Sequence, residues 1–453
     1  MRRRSRNYAK GRNAERLCAE SIRMQETGWK CQQSCTDLGV QDTAGRHRKV
    51  LMAASVASMI GQFNMQNIWL LQELGYEVHV TCNFRKGNTC DRKQIRKLVK
   101  QLRDRKVILY QWDCPRDIHS LKRCRTAYRQ ILCLLRNHQY AWLHCHSPVG
   151  GALARMAAHA AGVPVMYTAH GFHFYQGAPL KNWLLYYPAE RLLSNWTDLL
   201  ITVNCEDACF AKKHLKAGKI CDIPGVGIDP LRFRAQEDLQ KCGKDRLSRQ
   251  VCSRKDCRTR FREAYQIPQD ACLLLSVGEL SKRKNHRAVL VALTALVARG
   301  MHVCYLVCGQ GAQKKQLERY VEKHGLKGHV WFPGFLERVE DAYQAADLFV
   351  FPSLQEGMPV ALMEAMAAGM PCVVSDIRGN RELIADVRLR FAPDRPAQLK
   401  EILTALIEDP TRADACGQAN RNIISAYSLE NVQKRMVKIY CWMDHKYCSR
   451  ITG

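Results

Sequence analysis

Short apolar segments alternate with amphipathic ones along most of the chain. The apolar segments have the length of buried strands and lie at 50–54, 77–82, 107–112, 141–145, 164–168, 198–203, 271–277, 302–308, 330–332, 347–351 and 371–375. Stretches with helical spacing lie between them, for example at 67–74, 121–136 and 151–161. Alternation of strands and helices predicts parallel sheets that are covered by helices on both faces.

The alternation stops across 230–266 and then starts again, which predicts two domains. The predicted fold class is α/β, with two tandem Rossmann-like, doubly wound domains that face a cleft. The predicted segments are a basic, poorly ordered extension at 1–47, a first domain at 48–223, a basic linker at 224–266, a second domain at 267–428 and a C-terminal helix with its tail at 429–453. In such domains ligands bind beyond the carboxyl ends of the strands.

Positive charge is concentrated in two regions of this chain of 453 residues and formal net charge +28. Residues 91–136 carry fourteen Lys and Arg against four Asp and Glu, and residues 232–262 carry eleven against four. In the first region Ile95, Leu98 and Leu102 have helical spacing, which predicts a basic amphipathic helix. Its polar face is either simply solvated or docks on anionic lipid. Nucleic acid is a weaker alternative, because the basic runs lack interleaved aromatic residues and known recognition motifs.

Several other classes of protein are disfavoured. The longest apolar stretch, 288–298, is shorter than a membrane-spanning helix, and no apolar core follows the basic first residues, so we expect a cytoplasmic protein. The 22 cysteines are then expected to be free thiols. Cys242, Cys252 and Cys257 could hold a metal with a fourth ligand, but idle thiols are the favoured interpretation. His144 and His146 flank Cys145 on a predicted strand, which turns Cys145 to the opposite face.

The stretch "PSLQEGMPVALMEAMAAG", residues 352–369, contains two glutamates eight positions apart, Glu356 and Glu364. It reads as a loop that leads from a strand into a helix, and the exposed N–H groups at such a junction, near Gly357, suit a phosphate. Glu364 lies in an otherwise apolar helix, where a lone acid needs a partner. The two carboxylates are too far apart to share one metal ion, but they can bind two parts of an extended ligand. The simpler alternative is that Glu356 interacts with the helix dipole and that Glu364 is an ordinary surface residue.

A family resemblance rests on several segments together. "PSLQEGMPVALMEAMAAGMPCVVSDIRGNRELI" resembles the donor-site segment of family-4 retaining glycosyltransferases of the GT-B fold. The similarity continues through "SVGELSKRKNH", "CGQG" and "VWFPGFLERVEDAYQAADLFVFPS". In the first domain, "HCHSPVGGALARMAAHAAGVPVMYTAHGFHFYQGAP" resembles transferases that build bacterial capsule and exopolysaccharide. The resemblance covers about 48–445, with the acceptor on the first domain and the nucleotide-sugar donor on the second. The final helix has Val432, Met436, Ile439 and Tyr440 on one side by their spacing, and the resemblance implies that it returns from about Leu429 to pack on the first domain.

The resemblance assigns donor-binding roles to individual positions. Glu356 matches the residue that contacts the donor sugar, and Glu364 matches the one that binds the ribose. Lys284 matches the lysine that neutralises the donor diphosphate, with Lys282 as a possible substitute. Gly61, expected in the loop after the first strand, matches a glycine where the backbone approaches that diphosphate.

The resemblance also implies the chemistry. His170 matches the histidine that lines the reaction centre, so His170 and Glu356 are the expected catalytic residues. Lys284 and the junction at Gly357 can stabilise the departing diphosphate without a metal, so no cofactor is expected. Retention then implies front-face attack, in which the leaving phosphate helps to deprotonate the acceptor. Two departures from the family pattern stand out: Glu279 occupies a position that is often arginine, and the glycine-rich turn after "ELI" is replaced in 385–395.

The expected function is therefore that of a retaining glycosyltransferase in capsule or exopolysaccharide biosynthesis. The resemblance implies a nucleotide-sugar donor, with UDP favoured, and a lipid-linked acceptor on undecaprenyl diphosphate or another glycan acceptor. The expected location is the inner face of the cell membrane, peripherally bound, with no nucleic-acid partner. The alternatives are a nucleotide-sugar epimerase of the GT-B fold and a degenerate, non-catalytic nucleotide-binding homologue.

Overall fold

The computed structural model describes residues 48–88, 90–118, 120–175, 177–234 and 253–448. The predicted extension at 1–47, Cys242 and Cys252 lie outside the described residues. The remaining residues form two parallel sheets with helices on both faces, which confirms the predicted fold class.

The described residues of the first domain form seven strands and seven helices. The strands are β1 (Lys49–Val56), β2 (Glu77–Asn83), β3 (Ile108–Gln111), β4 (Tyr140–His146), β5 (Val165–Ala169), β6 (Leu199–Thr202) and β7 (Lys219–Asp222). The helices are α1 (Ala57–Phe63), α2 (Met65–Glu73), α3 (Arg92–Asp104), α4 (Leu121–Asn137), α5 (Pro148–Ala161), α6 (Leu180–Ser194) and α7 (Cys205–His214).

The strands of the first sheet run in the order β3-β2-β1-β4-β5-β6-β7, and every pair is parallel. The chain reverses its direction of winding between β1 and β4, so the switch point of the sheet lies there. The edge strand β7 was not predicted, because its four residues, Lys219–Asp222, are only half-buried and form no apolar run.

The second domain contains the remaining strands. They are β8 (Cys272–Val277), β9 (Val303–Cys308), β10 (Val330–Gly334), β11 (Leu348–Phe351), β12 (Cys372–Ser375) and β13 (Arg390–Phe391), in the sheet order β10-β9-β8-β11-β12-β13. The helices are α8 (Arg254–Ala264), α9 (His286–Ala298), α10 (Lys314–Lys323), α11 (Val339–Ala345), α12 (Val360–Ala367), α13 (Arg378–Leu383), α14 (Pro396–Glu408), α15 (Pro410–Ile424) and α16 (Leu429–Cys448). Its switch point lies between β8 and β11.

The helix α8 lies in the segment that the sequence analysis treated as a basic linker. Its residue Arg262 is fully buried and pairs with Asp347, with 2.8 Å between a guanidinium nitrogen and Oδ2. The same guanidinium donates to the backbone carbonyls of Pro268, Ala271 and Ala345. This part of the basic segment is therefore integrated into the second domain by its charged side chains.

The final helix α16 returns to the first domain. Val432, Met436, Ile439 and Tyr440 are buried in the core beneath the first sheet, on the side predicted from their spacing. Tyr440 stacks on Trp142 of β4, with 5.4 Å between the ring centroids. The returning helix thus covers one face of the first sheet, the face that also carries α1, α2 and α3.

The two basic helices of 91–136 cover opposite faces of the first sheet. In α3, Ile95, Leu98 and Leu102 are buried in the core shared with α16, as the helical spacing predicted. The buried residues of α4, including Ile131 and Leu135, belong to the core on the other face. Within the part of the chain that the structure describes, no helix is both long and apolar enough to cross a membrane.

Candidate active site

Two loops meet at the switch point of the second sheet and carry the predicted donor residues. Strands β8 and β11 are adjacent, so the loops that follow them lie side by side at the carboxyl edge. Lys284 ends a short 3-10 turn after β8, and Glu356 lies in the loop after β11, before α12 begins at Val360. The fold therefore brings together two residues that are 72 positions apart in the chain.

Glu356 is held by two cations. Lys284 Nζ and an Arg283 guanidinium nitrogen lie 2.8 and 2.9 Å from the same carboxylate oxygen, Oε1. Burial favours the neutral acid, but the charges of Lys284 and Arg283 outweigh it and hold the pKa of Glu356 below its usual value. Glu356 is thus ionised, and its second oxygen can accept hydrogen bonds from a ligand.

Lys284 is the buried cation of the pair, with a side chain that is 12% exposed. Burial lowers its pKa, and the charge of Glu356 opposes that shift. Lys282 points elsewhere: it lines a cavity of about 330 Å³ together with Asn285 and Gln313. The structure therefore places Arg283, and not Lys282, as the second cation beside Glu356, because the 3-10 turn directs successive side chains to different sides.

Glu364 has the partner that its apolar helix required. The hydroxyl of Tyr343 on α11 donates to Glu364 Oε2 at 2.8 Å. Burial raises the pKa of Glu364 to about 7, against the hydrogen bond from Tyr343 and the charge of Arg232, which both lower it. The carboxyl group is therefore close to half protonated near neutral pH and can either accept or donate a hydrogen bond.

Gly357 is a point of close contact between the two domains. A Cβ at Gly357 would overlap the backbone carbonyl of His170 and approach the Cα of Gly171 at 3.2 Å. Gly171 has φ +129, a conformation that L side chains rarely adopt. Both glycines are needed for this contact, which places the loop after β5 directly against the loop that carries Glu356.

His170 lies at the carboxyl end of β5 and forms part of a row of histidines. Its Nε2 lies 3.3 Å from Nδ1 of His146, and its ring lies 5.5 Å from that of Phe63 in α1. Burial lowers the pKa of His170 to about 4, so the imidazole is neutral at physiological pH. A neutral ring at this position can donate or accept one hydrogen bond at the cleft, but it does not supply a charge.

The row of histidines continues away from the cleft along β4. The rings of His144 and His146 are 4.3 Å apart, and His144 is hydrogen-bonded to Thr168 at 2.8 Å and contacts Tyr440 at 3.4 Å. Cys145 lies in the core on the opposite face of the sheet, as the strand alternation predicted. Across the described ranges, no three His, Cys, Asp or Glu side chains are grouped so that they could hold a metal ion.

Arg378 is a residue of the site that the sequence analysis missed. It begins α13 and donates to the carbonyl of Phe172 at 2.6 Å and to that of Glu356 at 3.3 Å. It also forms a buried ion pair with Asp207 of α7 in the first domain. Arg378 therefore joins the loop after β5, the loop after β11 and α7. The available signal was an arginine three residues after the end of the buried strand β12.

Two family profiles match most of the described chain. Residues 63–208 match the profile "Glycosyl transferase 4-like domain", and residues 258–423 match "Glycosyl transferases group 1". The chain also aligns over 405 residues, at 33% identity, with EpsD of Bacillus subtilis strain 168, which is named as a glycosyltransferase. That alignment covers 88% of this chain and 97% of EpsD. The chain belongs to the family-4 glycosyltransferases.

A second relative and two solved structures extend the comparison. The Escherichia coli "UDP-Gal:alpha-D-GlcNAc-diphosphoundecaprenol alpha-1,3-galactosyltransferase" is 30% identical over 257 residues, which is 55% of this chain and 62% of that protein. HepE of Anabaena, solved with UDP and glucose, superposes with a TM-score of 0.68 at 17% identity over 87% of this chain and all of HepE. WaaG, a glycosyltransferase involved in lipopolysaccharide biosynthesis, superposes with a TM-score of 0.63 at 20% identity over 86% of this chain and 99% of WaaG. These structures share the GT-B fold.

Gly61 of this glycosyltransferase lies in a helix and not in the loop that was expected after the first strand. Strand β1 ends at Val56 and α1 begins at the next residue, so Gly61 falls in the last turns of α1. A Cβ at Gly61 would lie 3.3 Å from Cδ2 of Leu98 on α3. The close packing of α1 on α3 thus accounts by itself for a residue without a side chain at position 61.

The two departures from the family pattern have local structural counterparts in the glycosyltransferase. Burial lowers the pKa of Lys284, and the negative charge of Glu279 adds a small opposing effect to that of Glu356. In 385–395, a 3-10 turn at Val387–Leu389 replaces the glycine-rich turn and leads into β13, where Arg390 pairs with Val374 of β12. Asp386 closes this turn by accepting from the backbone N–H of Arg388 at 2.9 Å.

Proposed function

We propose that this chain is a retaining glycosyltransferase that moves a hexosyl or N-acetylhexosaminyl group from a UDP-sugar to a glycan on a lipid diphosphate, in exopolysaccharide or capsule assembly. The observation that carries the proposal is the cluster of Glu356, Lys284 and Arg283, which lies at the one edge where the His170 loop of the first domain touches the second. HepE, solved with UDP and glucose, supports the donor class, and the Escherichia coli relative, named for a diphosphoundecaprenol acceptor, supports the acceptor class.

The proposed chemistry begins with the leaving group. Departure of UDP builds negative charge on the diphosphate, and fixed cations in a site that excludes water stabilise such charge far better than water does. Lys284 and Arg283 supply that charge, and the N-terminus of α12 adds the positive end of a helix dipole. In this proposal the reaction is independent of a metal ion and of any other cofactor.

Glu356 and Glu364 then hold the donor at two points. Glu356 is ionised, so it can accept hydrogen bonds from hydroxyl groups of the transferred sugar. Glu364 lies farther along α12, beside Tyr343, and binds the ribose. When the donor binds, Lys284 turns from Glu356 to the diphosphate. The lysine thus exchanges one anionic partner for another. The ion pair seen here thus keeps both groups charged and in place before the donor enters.

Transfer with retention proceeds at the front face of the sugar. The acceptor oxygen forms a bond to the anomeric carbon as the bond from that carbon to the diphosphate oxygen breaks, and the acceptor proton passes to the departing phosphate. His170 is neutral at this edge and orients the donor or acceptor by one hydrogen bond. Positioning of both substrates in the closed cleft supplies much of the acceleration.

The proposed location is the inner face of the cell membrane. The exposed face of α3 carries Arg92, Lys93, Arg96 and Lys97, and each basic residue near an anionic bilayer contributes about 1 kcal/mol. Binding to vesicles of anionic phospholipid that weakens with added salt is the expected result. Binding that is insensitive to salt would contradict this part of the proposal.

The reaction is tested by UDP and GDP release from a panel of nucleotide sugars, with a membrane extract as acceptor. Acceptor-dependent release of UDP that is lost in Glu364→Ala is the expected result. Turnover of the nucleotide sugar without any acceptor would favour the epimerase. Nucleotide binding without turnover of any donor would favour a degenerate homologue.

A further inference from the structure

The carboxyl edge of the first sheet extends well beyond His170. The loops that follow β5, β4, β1, β2 and β3 lie along this edge in that order. Neighbouring strands are about 4.8 Å apart, so the end of β2 lies about 14 Å, and the end of β3 about 19 Å, from the end of β5. This separation leaves room for at least one sugar residue between a hydroxyl at His170 and a group that is bound at the loops after β2 and β3.

The loop after β2 displays two cations on a fixed turn. Arg85 and Lys86 are exposed, and their backbone N–H groups donate to Oδ1 of Asn83 at 3.1 and 2.9 Å. Asn88 ties the same loop to α1, because its Oδ1 accepts from the backbone N–H of Ser58 at 2.9 Å. The position of the two basic residues is therefore set by partly buried hydrogen bonds, although their side chains reach into solvent.

The loop after β3 adds a third cation next to the first two. The Cγ of Arg116 lies 3.1 Å from the position of a Cβ at Gly87, so the arginine stem lies over the turn that carries Arg85 and Lys86. Asp113 also lies here. Hydrogen bonds from Gln130 and Gln111, and then the charges of Arg85 and Lys86, lower its pKa.

The two loops and the first turn of α4 together carry a net positive charge. The acids of the loops, Asp91, Asp113 and Asp117, equal Arg85, Lys86 and Arg116 in number, and Lys122 and Arg123 add two exposed cations in the first turn of α4. The carboxylate of Asp113 is engaged by the amides of Gln111 and Gln130, each at 2.9 Å. The three cations Arg85, Lys86 and Arg116 therefore lie near one acid, Asp113, whose carboxylate oxygens are already bound by the two amides.

An apolar surface lies immediately beyond the cations. Ile118 is 44% exposed and Leu121 is 83% exposed, at the start of α4. Apolar side chains that project among Lys and Arg are typical of segments that contact the interface of a bilayer. The edge thus presents, in order, the reaction centre, the starts of α5 and α1, a cationic cluster and an apolar tip.

We infer that Arg85, Lys86 and Arg116 form the binding site for the diphosphate of a lipid-linked acceptor, with its lipid passing over Ile118 and Leu121. The order of these groups along the edge matches the order of glycan, diphosphate and lipid in such an acceptor. Arginine binds phosphate oxygens in pairs, and charge-assisted hydrogen bonds of this kind are the strong ones. The inference rests on the proposed function, which it deepens by assigning the acceptor class to a site in the first domain.

The test measures the binding of farnesyl diphosphate by calorimetry with the donor site saturated by UDP. Arg85→Gln/Lys86→Gln/Arg116→Gln is expected to weaken binding by about tenfold or more, since the charge-assisted hydrogen bonds to the phosphate oxygens are lost. The matched control is Lys100→Gln/Arg103→Gln/Arg136→Gln, which removes the same charge from exposed residues at the C-terminal ends of α3 and α4. Those ends lie at the opposite edge of the sheet, and binding is expected to be unchanged.

Each outcome has a distinct meaning. UDP binding that is equal in all three proteins shows that the variants are folded, and a failure of the wild type to bind UDP would count against the proposed function instead. Wild-type binding of UDP without binding of farnesyl diphosphate would overturn the inference. An equal loss of farnesyl diphosphate binding in both triple variants would also overturn the inference, since it would show a non-specific attraction of the anion to positive charge. A loss of binding to phosphatidylglycerol vesicles alone would assign the cluster to lipid headgroups and overturn the diphosphate site.

Discussion

Asp207 and Arg378 form an ion pair across the two domains, and each side chain is only 3% exposed. Asp207 also accepts from the backbone N–H of Phe172 at 3.1 Å and from the side chain of Asn204 at 2.9 Å. Burial raises the pKa of Asp207, and the charge of Arg378 opposes that rise. The pair is thus a buried contact between the two domains in the arrangement seen here, which we call the closed form.

Arg378→Ala is expected to shift the protein away from this closed form. Removal of one partner leaves Asp207 buried without its counter-charge, and such losses cost about 3–5 kcal/mol. We expect a lower kcat and a larger radius of gyration in small-angle scattering, with the helical content unchanged. Arg381→Ala is the matched control, because Arg381 pairs with Asp376 within the second domain and is 45% exposed. Equal effects of the two substitutions would contradict the role of the pair.

Lys284 and Lys282 are expected to differ sharply although they are two residues apart. Lys284→Gln removes the buried partner of Glu356 and the charge proposed for the diphosphate, so UDP affinity and kcat should both fall, the latter by about 100-fold or more. Lys282→Gln should leave both nearly unchanged, because the cations that pair with Glu356 are Lys284 and Arg283. Titration with UDP and steady-state release assays measure the two effects. A larger loss with Lys282→Gln would reverse the assignment.

Glu364 gives the free energy of unfolding a specific pH dependence. Its pKa is raised to about 7 in the folded protein, so between about pH 4.5 and about pH 7 the folded state binds more protons than the unfolded state. Stability attributable to this group is therefore lost as pH rises through that window. The free energy of unfolding of Glu364→Gln, relative to that of wild type, should increase by up to about 3 kcal/mol between about pH 5 and about pH 8. Denaturant unfolding measures this difference.

Tyr343→Phe provides the control for this effect. Loss of the hydroxyl removes the hydrogen bond that lowers the pKa of Glu364. The pH-dependent decrease in the free energy of unfolding should therefore extend to higher pH than in wild type. The same pH dependence in wild type and in Glu364→Gln would show that other groups are responsible.

Gly357→Ala is expected to reduce turnover while the domains remain folded. The new methyl group would overlap the carbonyl of His170, so the two loops could not close to the observed distance. A displacement of about 1 Å at a reaction centre can cost about 100-fold in rate. Measured kcat should fall by about that factor, with the thermal unfolding transition retained. Unchanged kcat would show that this contact is dispensable for the reaction.

Removal of divalent metal ions is expected to leave the activity intact. The cations proposed for the leaving diphosphate are Lys284 and Arg283, which belong to the chain itself. Nucleotide release should therefore persist after dialysis against EDTA, and added Mg²⁺ or Mn²⁺ should change kcat by less than about twofold. Activity that is lost with EDTA and restored by one metal would contradict the proposed chemistry.

Much of the fold could be predicted from the sequence, because buried parallel strands leave a strong local pattern. The central strands β1 and β8 are continuous apolar runs, and the spacing of Val432, Met436, Ile439 and Tyr440 identified the buried side of α16. The edge strands β7 and β13 escaped prediction because they are short and only partly buried. The helix α1 was missed because it follows β1 with no intervening polar turn.

The sequence by itself determined the parallel α/β architecture, the segment that contains Glu356 and Glu364, and the need of Glu364 for a polar partner. Those properties depend on residue type and on spacing over a few turns. The tertiary structure decided which cation pairs with Glu356, that Gly357 meets His170, and that Arg378 reaches Asp207. Such contacts join residues that are far apart in the chain and depend on the strand order and on the closure of two domains, which no local pattern records.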